Sequence, residues 1–362
     1  MKKFIVIFIF NLFLFNILIF SQIIVKNKID LSKKLDAKEV ILNKELELGG
    51  GKGSNYQFER IRSFRVDEEG NIYVIDTRAR KLLKFNEGGS LLWARGKHGQ
   101  GPGEFQSLLV IEKGIDNFLM VYDLGNRRIS YWSRNGKLIN EINTANYVRL
   151  YRIDDDSKGN FYGILYTYFP EKKIEIEHLY KFDKRLNIIK RLYQIEVKRL
   201  KNEIRIFSPQ IFFRVRNDDL IIFANTGEYT FYLADGEGRV RKIIKNKYEP
   251  LKLLPTDRKR EFKERYGGRT LPPELKFIFP DYYPPIEHLL IDDQNNIFVR
   301  TYERTKDGAH YYDYFDAEGR YIASFPMKET IFCIRGDRFY TLEEDEEGYQ
   351  KIVRYRYRLK LK

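Results

Sequence analysis

FERIRSFRVDEEGNIYVID at residues 58–76 and FQSLLVIEKGIDNFLMVYD at residues 105–123 are one pattern written twice, 47 positions apart and without a gap. Phe58 falls on Phe105, Val74 on Val121 and Asp76 on Asp123. Farther along, Arg80 meets Arg127, Gly89 meets Gly136 and Leu91 meets Leu138. The match runs over residues 48–96 and 95–143, with Leu82/Ile129 and Phe85/Trp132 as conservative pairs. In the first copy Ile61–Val66 alternates as a strand does, and Asp67–Asn71 is a tight turn. Ile72–Asp76 is rich in β-branched and aromatic residues. Lys81–Phe85 is a third strand, and the turn at Glu87-Gly88-Gly89 leads to a fourth, Ser90–Ala94. Four strands in about 45 residues make a β-propeller blade.

The same grammar continues along the chain. The second blade runs from about Leu108 to Asn143. A third begins near Val148, turns at Asp156–Asn160 and reaches about Ile195, with a charged insertion at Glu171–Glu177. Ser208–Lys245 reads as the fourth blade and Ile286–Pro326 as the fifth. A sixth starts at Thr330 and runs out after Ile352–Tyr357, one strand short. Val40–Leu48 followed by Gly49 matches Leu91–Gly96, so this N-terminal strand is expected to complete the sixth blade. The fold expected is therefore all-β, a six-bladed β-propeller closed by a strand from the N-terminal end. One stretch, 250–285, does not read as sheet. Thr256 is expected to cap a short helix, Asp257–Tyr266, ending at Gly267-Gly268. Pro272-Pro273 and Pro284-Pro285 then hold the backbone extended, as an excursion over one face of the ring.

Residues 1–21 read as a signal peptide: Lys2 and Lys3, an apolar run from Phe4 to Phe20, and small Ser21. The expectation is an exported protein, periplasmic or secreted, whose domain is residues 22–362. With one cysteine, Cys333, it has no internal disulfide and is held by packing and sheet closure. The formal charge of +14, with basic clusters at Lys198–Arg205, Arg258–Arg265 and Arg354–Lys362, favours anionic partners. Export disfavours nucleic acid among them. Membrane contact is expected only through the signal segment or the basic surface.

The stretch Gly96-Lys-His-Gly-Gln-Gly-Pro-Gly-Glu-Phe105, followed by a strand, Asp-x-Gly-Asn-type turns and Tyr-Val-x-Asp, resembles the NHL-repeat propellers. Phe279–Ile286, Leu290-Ile-Asp and Ile297–Arg300 look like bacterial exported six-bladed propellers related to that group. The resemblance covers most of the mature chain, although residues 49–58 lack the Gly-Pro-Gly. It implies the fold; the group mixes adhesive and protein-binding scaffolds with some lyases and lactonases, so it implies no single function.

Motifs for chemistry are sparse. The loop 96–103 lacks the Lys-Ser/Thr ending of a phosphate-binding P-loop, and its glycines suit a sharp crossing between blades. His98, His178, His288 and His310 show no paired metal-ligand spacing. Asp154-Asp155-Asp156 with Gly159 suggests a calcium loop, but Leu165 stands where its bidentate Glu belongs. No Gly-x-Ser-x-Gly elbow is present. What remains is a set of polar residues on inner strands. Arg62, Arg149, Arg214 and Arg300, from blades one, three, four and five, are candidates to converge on a carboxylate, phosphate or sulfate. The competing reading pairs these arginines with blade carboxylates, Asp76 and Asp123 among them. His98 and His288 join the candidate ligand-binding set, and Tyr282 with Tyr283 is expected to form an aromatic wall over the channel mouth. The function expected is a non-catalytic binding module for a protein or an acidic or carbohydrate-like ligand of the cell envelope. No cofactor is expected, calcium being the divalent ion left open. The alternative is a metal-dependent lactonase or lyase with its site in the channel.

Overall fold

In the computed structural model of the chain, residues 22–28, 39–113, 119–145, 150–267 and 272–360 are described. The expected signal segment and Arg149 lie outside them. Two strands come first, β1 (Ile23–Lys28) and β2 (Glu39–Gly49). Blade one is β3–β6 (Ile61–Val66, Ile72–Asp76, Lys81–Phe85, Leu91–Arg95). Blade two is β7–β10 (Leu108–Lys113, Leu119–Asp123, Arg128–Trp132, Leu138–Asn143). Blade three is β11–β14 (Tyr151–Asp155, Phe161–Phe169, Ile174–Phe182, Ile188–Lys198). After a short strand, β15 (Glu203–Arg205), blade four is β16–β19 (Ile211–Val215, Ile221–Asn225, Thr230–Ala234, Val240–Lys247). The excursion holds α1 (Pro255–Tyr266) and β20 (Lys276–Ile278). Blade five is β21–β24 (His288–Ile291, Ile297–Arg304, His310–Phe315, Tyr321–Met327), and blade six supplies β25–β27 (Ile331–Arg335, Arg338–Glu344, Gln350–Lys360).

β2 lies antiparallel against β27 and is the missing fourth strand of blade six, as the sequence led us to expect. Leu48 at its end is fully buried with Phe58, Phe64 and Val74 of blade one and Ile352 of blade six. This is one of six apolar clusters, and each fills one seam between neighbouring blades. The ring is therefore closed by packing at every seam, and no blade buries its faces alone.

Two polar devices recur with the repeat and explain residues that might otherwise suggest chemistry. In the turn after the first inner strand, Asp67 Oδ1 accepts the amides of Glu69 and Asn71, at 3.0 and 2.8 Å. Asp156 and Asp292 do the same with Lys158/Asn160 and Gln294/Asn296. Asp154 accepts the amide of Val215, at 2.9 Å. Asp154 thus spends this oxygen on a link to blade four, and Asp156 builds the repeated turn. At the end of the second strand, Asp76 accepts the amides of Glu59 and Arg60, and Asp123 those of Gln106 and Ser107. These two buried carboxylates fasten the entry of each inner strand; they are not the partners of the channel arginines. Gly96, with φ 91°, would drive a Cβ to 2.3 Å from the Phe105 ring, and Gly49 stands in the same relation to Phe58. The glycine-rich loop is shaped by this close approach.

Three elements depart from the sequence reading. β1 adds to blade four as a fifth strand, parallel to β19. Its Asn27 side chain donates to Asn246 Oδ1 and to the Gly319 carbonyl, both at 2.8 Å, so the strand is stitched to blades four and five. The charged insertion of blade three is largely strand: β12 and β13 pair along nine residues each, and Glu175 and Glu177 lie in β13. Helix α1 starts at Pro255, whose missing N–H suits a first helical position. Asp257 accepts the Leu254 amide at 3.0 Å, so Asp257 organises the turn assigned above to Thr256. Among the described residues no helix is long and apolar enough to cross a membrane.

Candidate functional site

Two cavities open at opposite ends of the inner strands. The upper one, about 370 Å³, is lined by the segments that enter blades four and five, Ile206–Gln210 and Pro284–Ile286, and by Arg265 and Tyr266 of α1. The lower one, about 480 Å³, is lined where inner strands end, at Val66–Glu68, Val215–Asn217 and Ile291–Asp293. The excursion roofs the upper cavity only. β20 pairs with β15 in parallel and ties the excursion to the crossing from blade three to blade four.

Side chains in the upper cavity alternate in charge and carry aromatic faces. Glu175 and Glu177 come from the long hairpin of blade three, and Arg199, Arg205 and Glu287 from the approaches to blades four and five. Tyr302 and Phe207 stand edge to face with ring centroids 4.9 Å apart. Arg265 lies over the Phe207 ring at 4.9 Å and is paired with Glu261 at 3.6 Å. Glu177 is 3 % exposed and accepts the Ile211 amide at 3.0 Å, which links blades three and four. Burial raises its carboxyl to about 7, with the Ile211 amide and Arg152 acting the other way.

Below this cavity the inner strands place matched residues in layers. Counting back four residues from the turn positions Asp67, Asp156, Arg216 and Asp292 gives Ser63, Arg152, Phe212 and His288. Counting back two gives Arg65, Asp154, Arg214 and Leu290. Residues two apart on a strand share a face. In the lower layer Arg65 pairs with Glu112 of blade two at 2.9 Å. Burial, then Glu112, pushes the Asp154 carboxyl up to about 6, against the pull of Arg214 and Arg65. In the upper layer the Arg152 guanidinium stacks on Phe212, 3.7 Å from the ring centroid, and His288 meets the edge of the same ring at 5.4 Å. Burial and Arg214 bring Arg152 down to about 10. Burial, then Arg214, Arg152 and Arg300, brings His288 down to about 3, so it is neutral at physiological pH.

The residues singled out from sequence divide. Arg214, Arg300 and His288 do converge. Arg300 is already engaged, with Glu287 at 3.0 Å and the Thr330 hydroxyl at 2.9 Å, so here the pairing reading holds, with Glu287 as the carboxylate. Arg62 is exposed at a bulge of β3 and lines neither cavity. His98 is exposed in the crossing between blades one and two, its backbone bridged to Phe105. The aromatic wall expected of Tyr282 and Tyr283 is different in kind. Tyr283 is 5 % exposed and takes a hydrogen bond from Arg260 at 2.9 Å, so it anchors α1, while Tyr282 is 51 % exposed. The rings that face the cavity are Tyr302, Phe207, Phe212, Tyr166 and Tyr266. Sequence reasoning missed Arg152, which occupies in blade three the role given to Arg149. The signal was present in its spacing from Asp156, the same as that of His288 from Asp292. Among the described residues no three His, Cys, Asp or Glu side chains gather as metal ligands.

Residues 54–224 match the family model DUF5128, described as a six-bladed β-propeller. A candidate exported protein of Bacteroides fragilis, 13 % identical, superposes with a TM-score of 0.57 over 93 % of this chain and 99 % of its own. A DUF4221 protein of Bacteroides vulgatus, 12 % identical, gives 0.51 over 90 % and 99 %. A gluconolactonase of Xanthomonas campestris, 11 % identical, gives 0.45 over 83 % and 87 %, too far in shape to carry chemistry. No curated protein matches the sequence. These likenesses are to bacterial propellers and concern the fold.

Proposed function

We propose that this chain is an exported recognition module that binds an acidic, hydroxyl-bearing small molecule, such as a sugar acid or the end of an acidic glycan, in the cavity under the excursion. The observation that carries the reading is the composition of that cavity. Rings from Phe207 and Tyr302, acceptors from Glu175 and Glu177 and donors from Arg199 and Arg205 face one space of about 370 Å³. Aromatic faces suit the apolar faces of a sugar ring, and fixed donors and acceptors suit its hydroxyls. The volume falls in the range of small-molecule sites. The site stands on rigid strands, while the excursion supplies the roof that would set specificity. Export rests on the apolar segment Phe4–Phe20, and the likeness to an exported Bacteroides protein is in keeping with it.

Calorimetry with sodium glucuronate and with glucose tests the reading. Saturable binding of at least one, weakened about tenfold or more by Tyr302→Ala, is expected, a loss of the size of one aromatic anchor. Absence of heat from both sugars, or full affinity in the Tyr302→Ala protein, would overturn it.

A further inference from the structure

At the waist between the two cavities, blades three, four and five each place one basic side chain. Arg152 and Arg214 have no carboxylate within ion-pair distance among the described residues, in contrast to Arg65, Arg300, Arg199 and Arg205. Asp154 and Glu177 act on this pair only at longer range. Two cations held close together and half-buried, with no carboxylate in ion-pair contact, cost stability. Arg152 adds a second cost, since it sits at a bulge of β11 with φ 48°, a left-handed conformation unusual for a non-glycine residue. The guanidinium carbon stands over the Phe212 ring, 3.7 Å from its centroid, and a guanidinium is the group that grips an oxyanion by two parallel hydrogen bonds. His288, at the edge of the same ring, has one N–H to donate in its neutral form.

We propose that Arg152, Arg214 and His288 form the seat of an oxyanion, a carboxylate, sulfate or phosphate group, at the waist between the two cavities, where Phe212 lines the upper one and Arg214 the lower. The ligand then enters with its charged end first, and its hydroxyl-bearing body stays against Phe207 and Tyr302. This deepens the cavity reading above and rests on it for the orientation of the ligand. Phe212 is the structural partner of the seat, since it lines the upper cavity and carries Arg152 over its ring.

His288 reports on the seat directly, because the cations that hold it neutral are the ones the anion would offset. Its C2 proton is followed by NMR against pH, with and without saturating sodium glucuronate or sodium sulfate, in the wild type and in Arg152→Gln and Arg214→Gln. The anion is expected to raise the His288 midpoint by about one unit or more, as an opposite charge at close range does. In either variant the response should be lost and glucuronate affinity should fall at least tenfold, with unchanged circular dichroism. Arg152→Lys, which keeps the charge but not the planar edge, should recover only part of the response. If glucuronate binds by calorimetry but His288 does not move and both variants bind as the wild type does, the seat is overturned and the cavity reading stands. If neither sugar binds yet sulfate moves His288 in the wild type only, the cavity reading falls and the seat stands. If neither anion moves His288, the seat is overturned.

Discussion

Replacement of Gly96 by alanine tests the physical basis of the repeat. The residue has φ 91°, and a Cβ there would stand 2.3 Å from Cε2 and 2.4 Å from Cδ2 of Phe105. Phe105 is buried in the seam between blades one and two, against Trp132 at 5.9 Å, so its ring has little room to retreat. Two costs add. A side chain in the left-handed region loses about 1–2 kcal/mol. Forcing an aromatic ring of a packed seam to shift costs a further ~1–3 kcal/mol. Lower chain entropy in the unfolded state returns about 0.4–1 kcal/mol. The net expectation is a destabilisation of about 2–4 kcal/mol. Gly348→Ala is the matched control: its φ is 84°, but nothing lies within 4 Å of the added Cβ, so only the backbone cost of about 1 kcal/mol applies. Urea unfolding followed by tryptophan fluorescence reads both variants, with Trp132 next to the perturbed ring. Equal losses in the two proteins would refute the reasoning, because the glycine would then serve the turn alone and not the approach of Phe105.

Three further outcomes follow from the geometry. Leu48→Ala, at the strand that closes the ring, should cost about 2–5 kcal/mol by urea unfolding; a loss under 1 kcal/mol would show that the seam between blades six and one is not sealed there. The Glu177 carboxyl, raised to about 7 by burial, binds more protons in the folded than in the unfolded protein. Its stabilising contribution is therefore complete below pH 4.5 and is lost as pH rises through about 7. Glu177→Gln should flatten that part of a stability-versus-pH curve, and an unchanged slope between pH 5 and 7 would count against the burial argument. Asn27→Ala should speed amide exchange in residues 23–28 and leave the midpoint of global unfolding within the error, whereas protection equal to the wild type would show that strand pairing alone holds β1.

Much of this architecture was legible because a blade repeats its own spacing. The shift of 47 residues, the Asp-Asn turns and the glycines Gly49 and Gly96 at the ends of two outer strands all encode local geometry, and the strand that closes blade six carried the same signature as Leu91–Gly96. β1 was not legible, since it is a lone strand paired in parallel with a segment more than 200 residues away, and no periodicity announces such a partner. The site was legible in part. Arg214 stood out as a polar residue on an inner strand and His288 stood in the candidate set, but whether an arginine is paired depends on contacts across blades, as Arg300 with Glu287 and Arg65 with Glu112 make clear. The excursion was read as crossing one face of the ring, and it does roof one cavity, yet its most prominent pair of tyrosines splits into one buried anchor and one exposed ring. The basic clusters that suggested an anionic partner are in good part paired: Arg260 with Asp257 at 2.9 Å and Arg356 with Glu45 at 2.8 Å. A surface charge that is already balanced attracts little. Arg152 and Arg214, which have no ion pair among the described residues, lie in the channel, where composition cannot reveal them.

The central claim is that an anion belongs at the channel waist, and selenate makes it visible. Crystals of the protein grown with sodium selenate, measured at the selenium edge, should show an anomalous peak between the guanidinium groups of Arg152 and Arg214, within about 4 Å of each. Peaks confined to the surface clusters at Lys198–Arg205 and Arg258–Arg265, with the waist empty at the same selenate concentration, would contradict the account.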